Sequence, residues 1–415
     1  MTKTSTVRVR QGRPASRSRR TQARTKGAGP RKVSETGAGV VEALGLHGDV
    51  AFGDRSLHVQ TVYRAEDEKI VSSVYDGGRL LERRERAVSP DFSVEEIRER
   101  LEDFHRRVVA DYEILHYIQQ KIRTVTHAPS NNRLGLVFLR RGLYREALRE
   151  FTLAVKLDPE KPEYYGNLAR ALLALGRDDE ALVAVREAVE KGPNYADLHN
   201  LLGLVLHRKK QFVGAIRAFQ EALRLNPRYA EAYLNLARVL LASARENTAE
   251  AELPPVLTRV RKALSYVREA AELSPVLKME DVEKVFEAAR LQELEKAERQ
   301  IDELRSRLPS RDRFLYDHEF YLQFMYGGKG KDEQAVATYV SWLQREIERN
   351  PQFADLHNSL GVAYLIQARN LFLKALDEFR EALRINPDFE RASKNLRLAQ
   401  NDGKGFLILL RAILK

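Results

Sequence analysis

The sequence repeats itself with a period of 34 residues over the stretch 131–275. Small and apolar residues recur there in four columns that share one register. A period of this length is typical of a solenoid built from stacked helix–turn–helix units. The columns are Leu134-Gly135, Leu168-Ala169, Leu202-Gly203 and Leu236-Ala237; Ala147, Ala181 and Ala215; Ala154, Ala188 and Ala222; and Pro159, Pro193 and Pro227.

Each column has a physical reason. A Gly or Ala in the first helix and the Ala residues in the second let the two helices pack closely, and the Pro ends each unit because it cannot continue a helix. With these columns, residues 131–275 resemble the tetratricopeptide repeat family. The resemblance implies a mainly α fold, a right-handed superhelical solenoid whose first helices line a concave groove that binds a protein or peptide partner.

Composition and motifs exclude several classes of function. The 415 residues include no cysteine, so disulfides, thiolate metal sites and cysteine nucleophiles are ruled out. The sequence has no phosphate-binding loop, no Gly-x-Ser-x-Gly elbow and no His-Glu-x-x-His pair. No apolar run approaches the roughly 18 residues of a membrane span. We therefore expect no enzymatic activity, no cofactor and no metal site, and we expect a cytoplasmic protein.

The net charge of +11 is confined to one end of the chain. Of the 70 Lys and Arg residues, eleven lie in residues 1–32, where there is no Asp or Glu, and the rest of the chain is formally neutral. Residues 1–38 hold hardly any apolar side chains, which predicts a disordered basic tail. Such a tail can attract nucleic acid or anionic lipid, and the sequence does not distinguish the two.

Between this tail and the repeats, residues 39–127 predict a small β meander followed by a long helix. Three segments, 56–64, 69–76 and 79–88, have strand character, and Asp76-Gly77-Gly78 indicates a tight hairpin. Ser93 and Glu96 form a capping box before a helix that reaches Arg123. We expect this helix to cover one face of a three-stranded sheet; a coiled-coil dimer is the alternative.

The remaining chain divides into three parts. Residues 128–275 form four repeats, of which the fourth has a loop inserted at 242–256. Residues 276–351 form a degenerate helical region that begins with a charged helix over 279–307. Residues 352–415 form a last repeat, with two extra residues in its turn, and a C-terminal helix that ends in GFLILLRAIL. For this apolar end a cap on the last repeat, a dimer contact and an interfacial membrane anchor all stay open.

The family resemblance also implies which residues line the groove, namely those at the second, fifth, ninth, twelfth and thirteenth positions of each first helix. The side chains that we select there, with the neighbouring sixth-position asparagines, are guanidinium, amide and imidazole groups, and none is an acid. Such donors suit a carboxylate or an acidic peptide. The candidates are Arg140, Asn167, Arg170, Asn200, His207, Arg208, Asn235, Arg238 and Asn358.

Two hypotheses of function follow. The first is a non-catalytic adaptor or scaffold that docks a partner segment, carboxylate-bearing or acidic, in the concave groove. The second is a scaffold anchored to RNA or to an anionic membrane by residues 1–32. A salt titration of nucleic-acid binding, with and without residues 1–38, separates them, because binding through the tail weakens steeply with salt and disappears on truncation.

Overall fold

The computed structural model describes residues 45–248, 252–308, 315–328, 332–349 and 351–413. The basic tail predicted for residues 1–38 lies outside the described residues. So do residues 249–251 of the predicted inserted loop and the last two residues of the chain. None of the described helices is long and apolar enough to cross a membrane.

The sheet domain has four antiparallel strands in the order β1-β2-β3-β4, so the prediction of three strands is wrong. The missed strand, β1, contains two glycines, which weakened its strand signal. The predicted tight turn at Gly77-Gly78 is present, with φ of 55° and 85°, a conformation that favours glycine. The strands are β1 Gly45–Phe52, β2 Arg55–Arg64, β3 Lys69–Asp76 and β4 Arg79–Ala87.

Helix α1 (Val94–Ile122) lies on one face of this sheet, as predicted, and the Ser93–Glu96 capping box is present. Its residues Ile97, Leu101, Val108, Tyr112 and Leu115 are buried within the same chain, as expected for a helix that covers a sheet. The core does not stop at the domain boundary. Phe52 of β1 and Tyr112 of α1 share one apolar cluster with Phe138 of the first repeat.

The four repeats form eight helices, and each pair is antiparallel and in contact. The small residues of the sequence columns lie where helices meet: a Cβ added to Gly135 would come within 2.6 Å of the Phe151 ring, and one added to Gly203 within 2.5 Å of Phe219. The helices are α2 Ala128–Arg140, α3 Tyr144–Leu157, α4 Pro162–Ala174, α5 Asp178–Lys191, α6 Ala196–Arg208, α7 Phe212–Leu225, α8 Ala230–Arg245 and α9 Val256–Leu273.

The insertion in the fourth repeat begins later than the predicted loop at 242–256. Helix α8 continues to Arg245, and Ser243 and Ala244 are buried. Arg259 of α9 donates hydrogen bonds to the carbonyl oxygens of Ser243 (2.7 Å) and Thr248 (3.2 Å). The first residues of the insertion are therefore helical and hydrogen-bonded, because they extend an apolar helix face that can be buried.

The region after the fourth repeat contains α10 (Met279–Arg290), α11 (Leu294–Arg307), α12 (Leu315–Met325) and α13 (Glu333–Arg349). The prediction of one charged helix over 279–307 is wrong, because the chain turns at Gln292, where φ is 61°. The repeat period in fact continues here, since Ala263, Val267 and Pro275 recur 34 residues later as Ala297, Ile301 and Pro309. Val285 in place of a small residue in α10 hid the pattern.

The last unit also differs from its prediction. In place of a helix pair with a turn, residues 354–385 form one helix of 32 residues, α14 (Ala354–Ile385), which packs against α15 (Glu390–Ile413). No glycine or proline interrupts residues 362–385, so nothing in the sequence forces a turn. The side chains of Leu409, Leu410 and Ile413 lie outside the described residues, and the function of the apolar C-terminus stays a prediction.

Candidate partner-binding groove

The structure places eight of the nine predicted groove residues on the first helices of the four repeats, α2, α4, α6 and α8. The ninth, Asn358, lies on α14 and is exposed. It lines a separate cavity of about 140 Å³ together with Arg133, Phe320 and Tyr339. The array therefore brings the eight together, and Asn358 belongs to a different surface.

The predicted asparagines connect neighbouring repeats. Asn167 donates a hydrogen bond to Asn132 Oδ1 at 2.8 Å, and Asn235 donates one to Asn200 Oδ1 at 2.9 Å. Asn200 in turn donates to the Tyr229 hydroxyl at 3.2 Å. All four amides are buried. Because a buried amide without partners is costly, these side chains stabilise the stacking of the repeats.

Two predicted arginines also bridge repeats. Arg170 donates to Asn167 Oδ1 at 2.7 Å and lies 3.7 Å from the Asp197 carboxylate of the next repeat. Arg208 reaches back to the Asp178 carboxylate at 3.0 Å and to the Leu173 carbonyl oxygen at 2.8 Å. The groove thus contains an acid, Asp197, beside its arginines. We missed it by selecting only donor groups from the groove positions.

Helix α11 occupies the last part of this surface. Its Asp302 carboxylate lies 3.2 Å from Nε of Arg238, and its Glu298 carboxylate lies 2.7 Å from Nε of Arg245. Arg305 of the same helix donates to Asn235 Oδ1 at 3.1 Å. A helix from outside the four predicted repeats therefore binds Arg238 and Asn235 through a carboxylate and a guanidinium.

His207 lies beside this contact. Burial, together with the nearby guanidinium groups of Arg238 and Arg305, lowers its pKa to about 4. The imidazole also faces Phe212, with 6.2 Å between ring centroids. At neutral pH His207 is therefore an uncharged donor or acceptor at the centre of the groove, and the positive charge there comes from arginine alone.

Helix α12 covers the first helix of the array in a similar way. Tyr321 stacks on the Arg133 guanidinium at 3.9 Å, and the Tyr326 hydroxyl lies 2.7 Å from Ser130 Oγ. Leu322 is fully buried in the core of the first repeat. With α12 on α2 and α11 on α8, the helices α4 and α6 between them present the accessible part of the concave surface, which carries Arg170 and Arg208.

Arg141 is a second residue that the sequence did not indicate. It is buried, lies over the Tyr112 ring at 5.1 Å, and pairs with the carboxylates of Glu319 on α12 (2.7 Å) and Glu82 on β4 (3.8 Å). Burial alone would lower its pKa, but Glu319 and Glu82 hold the net pKa above its ordinary value. Its three neighbours come from distant segments, so no periodic signal could have found this site.

The charge on Glu82 is stabilised by the same cluster. Burial raises the pKa of this carboxyl, but Arg84 and Arg141 hold the net pKa below its ordinary value. No group of three or more His, Asp or Glu side chains within the described ranges is arranged to hold a metal ion.

Comparison with known proteins supports the repeat assignment. A tetratricopeptide repeat family model matches residues 138–205 and 206–275. The chain is similar to protein FlbA of Caulobacter vibrioides, at 35% identity over 27% of this chain and 19% of that protein. It is also similar to the TPR repeat-containing thioredoxin TTL4 of Arabidopsis thaliana, at 46% identity over 16% of this chain and 10% of that protein.

These matches therefore span less than a fifth of the length of either relative. Among solved structures, the crystal structure of MamA aligns with 44% of this chain and 95% of its own, at 19% identity and a TM-score of 0.33. The family model coincides with the helix pairs in which Gly203 meets Phe219 and Ala222 is fully buried. Residues 138–275 of this chain are tetratricopeptide repeats.

Proposed function

We propose that this chain is a non-catalytic adaptor that docks a carboxylate-bearing segment of a protein partner on the first helices of its repeats. One observation carries the proposal: the groove already binds an acidic group from outside the four repeats. Asp302 of α11 lies 3.2 Å from Arg238, while the same helix bonds Asn235. A partner segment with a similarly placed carboxylate would meet the same kind of donor one or two repeats away.

The surface that would receive this segment lies on α4 and α6. The side chains of Arg170 and Arg208 are 31% and 48% exposed, so a partner can reach both guanidinium groups. Each guanidinium–carboxylate contact that becomes buried on binding should contribute roughly 1.5–3 kcal/mol.

The buried asparagines serve this function indirectly. They fix the spacing between the first helices of neighbouring repeats, and Asn167 also accepts a hydrogen bond from Arg170. A guanidinium held in place loses less conformational entropy when it binds a ligand. We therefore assign contact with the partner to Arg170, Arg208 and His207, and positioning to Asn167, Asn200 and Asn235.

The double substitution Arg170→Ala with Arg208→Ala tests the proposal, because it removes the two exposed guanidinium groups of α4 and α6. The probe is a set of immobilised peptides that differ only by Glu→Gln or by amidation of the C-terminal carboxylate. We expect the wild-type chain to prefer the acidic peptides and the double variant to lose at least about tenfold in affinity, which corresponds to one lost contact. Thermal unfolding of the two proteins, measured in parallel, reports whether the array is intact.

A matched control removes two arginines from the second helices. Arg186 on α5 and Arg261 on α9 are both exposed, so Arg186→Ala with Arg261→Ala makes the same change of net charge on the other side of the array. This control should bind the acidic peptides like the wild-type chain. Equal binding of Glu and Gln peptides, or unchanged affinity in the Arg170 and Arg208 variant, contradicts the proposal.

A further inference from the structure

Helix α14 carries an uncharged stripe that the described residues leave exposed, although the hydroxyl of its Tyr364 accepts a hydrogen bond from Gln344 of α13. Gly361, Tyr364, Ala368, Leu371 and Ala375 follow one another at spacings of three and four residues, so they lie on one side of the helix. All five are exposed, and Leu371 is 64% exposed. Phe379 and Ala382 continue the stripe and are half-buried. A long helix of a globular protein normally buries such a side.

The same residue types are buried in the other repeats. In the first and third repeats the glycine of the first helix contacts an aromatic ring 16 residues later, Gly135 with Phe151 and Gly203 with Phe219. The corresponding residues of α14 are Gly361 and Phe379, but a Cβ added to Gly361 would meet nothing within 4 Å. Within one straight helix these two residues are about 27 Å apart along the axis, so they cannot touch.

The reason lies at the position of the turn. Nine residues before the apolar residue of the second helix, each of the first three repeats has a left-handed residue: Gly142, Gly176 and Lys210. The same count from Phe379 gives Asn370, which is helical and buried in α14. The last unit therefore has both halves of a repeat interface on one continuous helix, and neither half can fold back onto the other while the helix lasts.

We propose that α14 pairs antiparallel with α14 of a second copy of this chain. Gly361 of one copy would receive Phe379 of the other, as Gly203 receives Phe219, and the two-fold axis would pass near residue 370, midway between them. Each copy completes the interface of the other, so the contact closes as a symmetric dimer. A second copy fits because it presents the same glycine and the same phenylalanine at the same separation along its helix. This inference does not depend on the proposed function.

A substitution in the stripe tests the pairing in the full chain. Leu371→Glu places a charge in the middle of the proposed interface, whereas Val183→Glu places one at an equally exposed position on α5, since both residues are 64% exposed. By light scattering and sedimentation we expect a dimer for the wild type and for the Val183→Glu chain. The Leu371→Glu chain should dissociate at least about a hundredfold more readily, because its carboxylates would be buried without partners.

Crosslinking tests the register. The chain has no cysteine, so Gly361→Cys with Phe379→Cys introduces its only two thiols. A short bifunctional thiol reagent should yield a covalent dimer from the double variant and much less from either single variant, whose equivalent thiols lie far apart. A monomer crosslinked within itself would show that residues 354–385 fold back as a hairpin, and it overturns the proposal. A monomeric wild-type chain, with no covalent dimer from the double variant, overturns it as well.

Discussion

Two units of this chain begin with almost the same ten residues, NYADLHNLLG at 194–203 and QFADLHNSLG at 352–361, and then take different paths. Both begin alike in three dimensions, because His199 and His357 each lie close to the carbonyl oxygen of the preceding Pro193 or Pro351, at 2.8 and 3.2 Å. In the third repeat the chain then turns at Lys210, whereas in the last unit it continues as one helix to Ile385.

The difference shows that the first helix of a repeat does not by itself dictate the hairpin. Gly203 is covered by Phe219, but the matching Gly361 is open. The two units differ between the small residue of the first column and the aromatic residue of the second. There α14 has two residues more, and its sequence favours a continuous helix. Whether the small residue of the first helix is covered by an aromatic ring therefore depends on a turn several residues away.

The largest contrast should come from the aromatic column. Phe219 is fully buried, so Phe219→Ala should lower the free energy of unfolding by about 3–5 kcal/mol. Phe379 is only half-buried, and Phe379→Ala should cost less than about 1.5 kcal/mol. Denaturant unfolding in a Leu371→Glu background, where pairing of α14 does not contribute, measures both. Equal losses would mean that the two units pack alike.

A smaller contrast between the two units should appear in how their stability depends on pH. His207 of the third repeat corresponds to Leu365 of the last unit. Because the pKa of His207 in the folded chain, about 4, lies below the ordinary value of 6.5, the unfolded chain binds more protons between these values. The contribution of His207 is thus complete above about pH 6.5 and is lost as the pH falls towards 4.

We expect this loss to be about 1–2 kcal/mol, after allowance for the partial exposure of the ring. His207→Gln should make the fall in stability over that pH range smaller. Thermal unfolding at several pH values measures the effect. Arg305→Gln removes one of the cations that lower the pKa of His207, so the fall in stability should be smaller and should end at a higher pH. A pH profile unchanged by both substitutions would show that His207 does not titrate in this way.

The smallest contrast concerns the turn itself. Lys210 adopts φ of 58°, which glycine adopts without strain, so Lys210→Gly should stabilise the third repeat by roughly 1 kcal/mol. Asn370 is helical, so Asn370→Gly should not stabilise the chain and should lower its free energy of unfolding by up to about 1 kcal/mol. Chemical denaturation of the two variants gives the comparison. A stabilising Asn370→Gly would indicate that a turn forms at residue 370.

The parts of this fold that could be predicted are those that depend on local sequence. The columns predicted four helix pairs because a small residue is needed wherever two helices approach closely, and Ser93 with Glu96 marked the start of α1 because both groups act within one turn. The strand β1 was missed because its glycines carry little strand preference, and the turn at Gln292 because it contains no glycine or proline.

The groove was harder to predict because its contacts join segments far apart in the chain. The pairing of Arg238 with Asp302 spans 64 positions, and that of Arg141 with Glu319 spans 178. A period of 34 residues says where a side chain points within its own repeat, but not which later helix will lie against it. For the same reason the buried asparagines looked like ligand donors, although their partners are one another.

The shared core of the sheet and the first repeat has a consequence for how the array comes apart. In a linear array, the end repeats normally fray first, because each has a neighbour on one side only. Here Phe138 packs against Phe52 of the sheet, and Arg141 ties α2 to both Glu82 and Glu319. The N-terminal end is therefore clamped, and hydrogen exchange should begin at the other end of the array and progress towards the sheet.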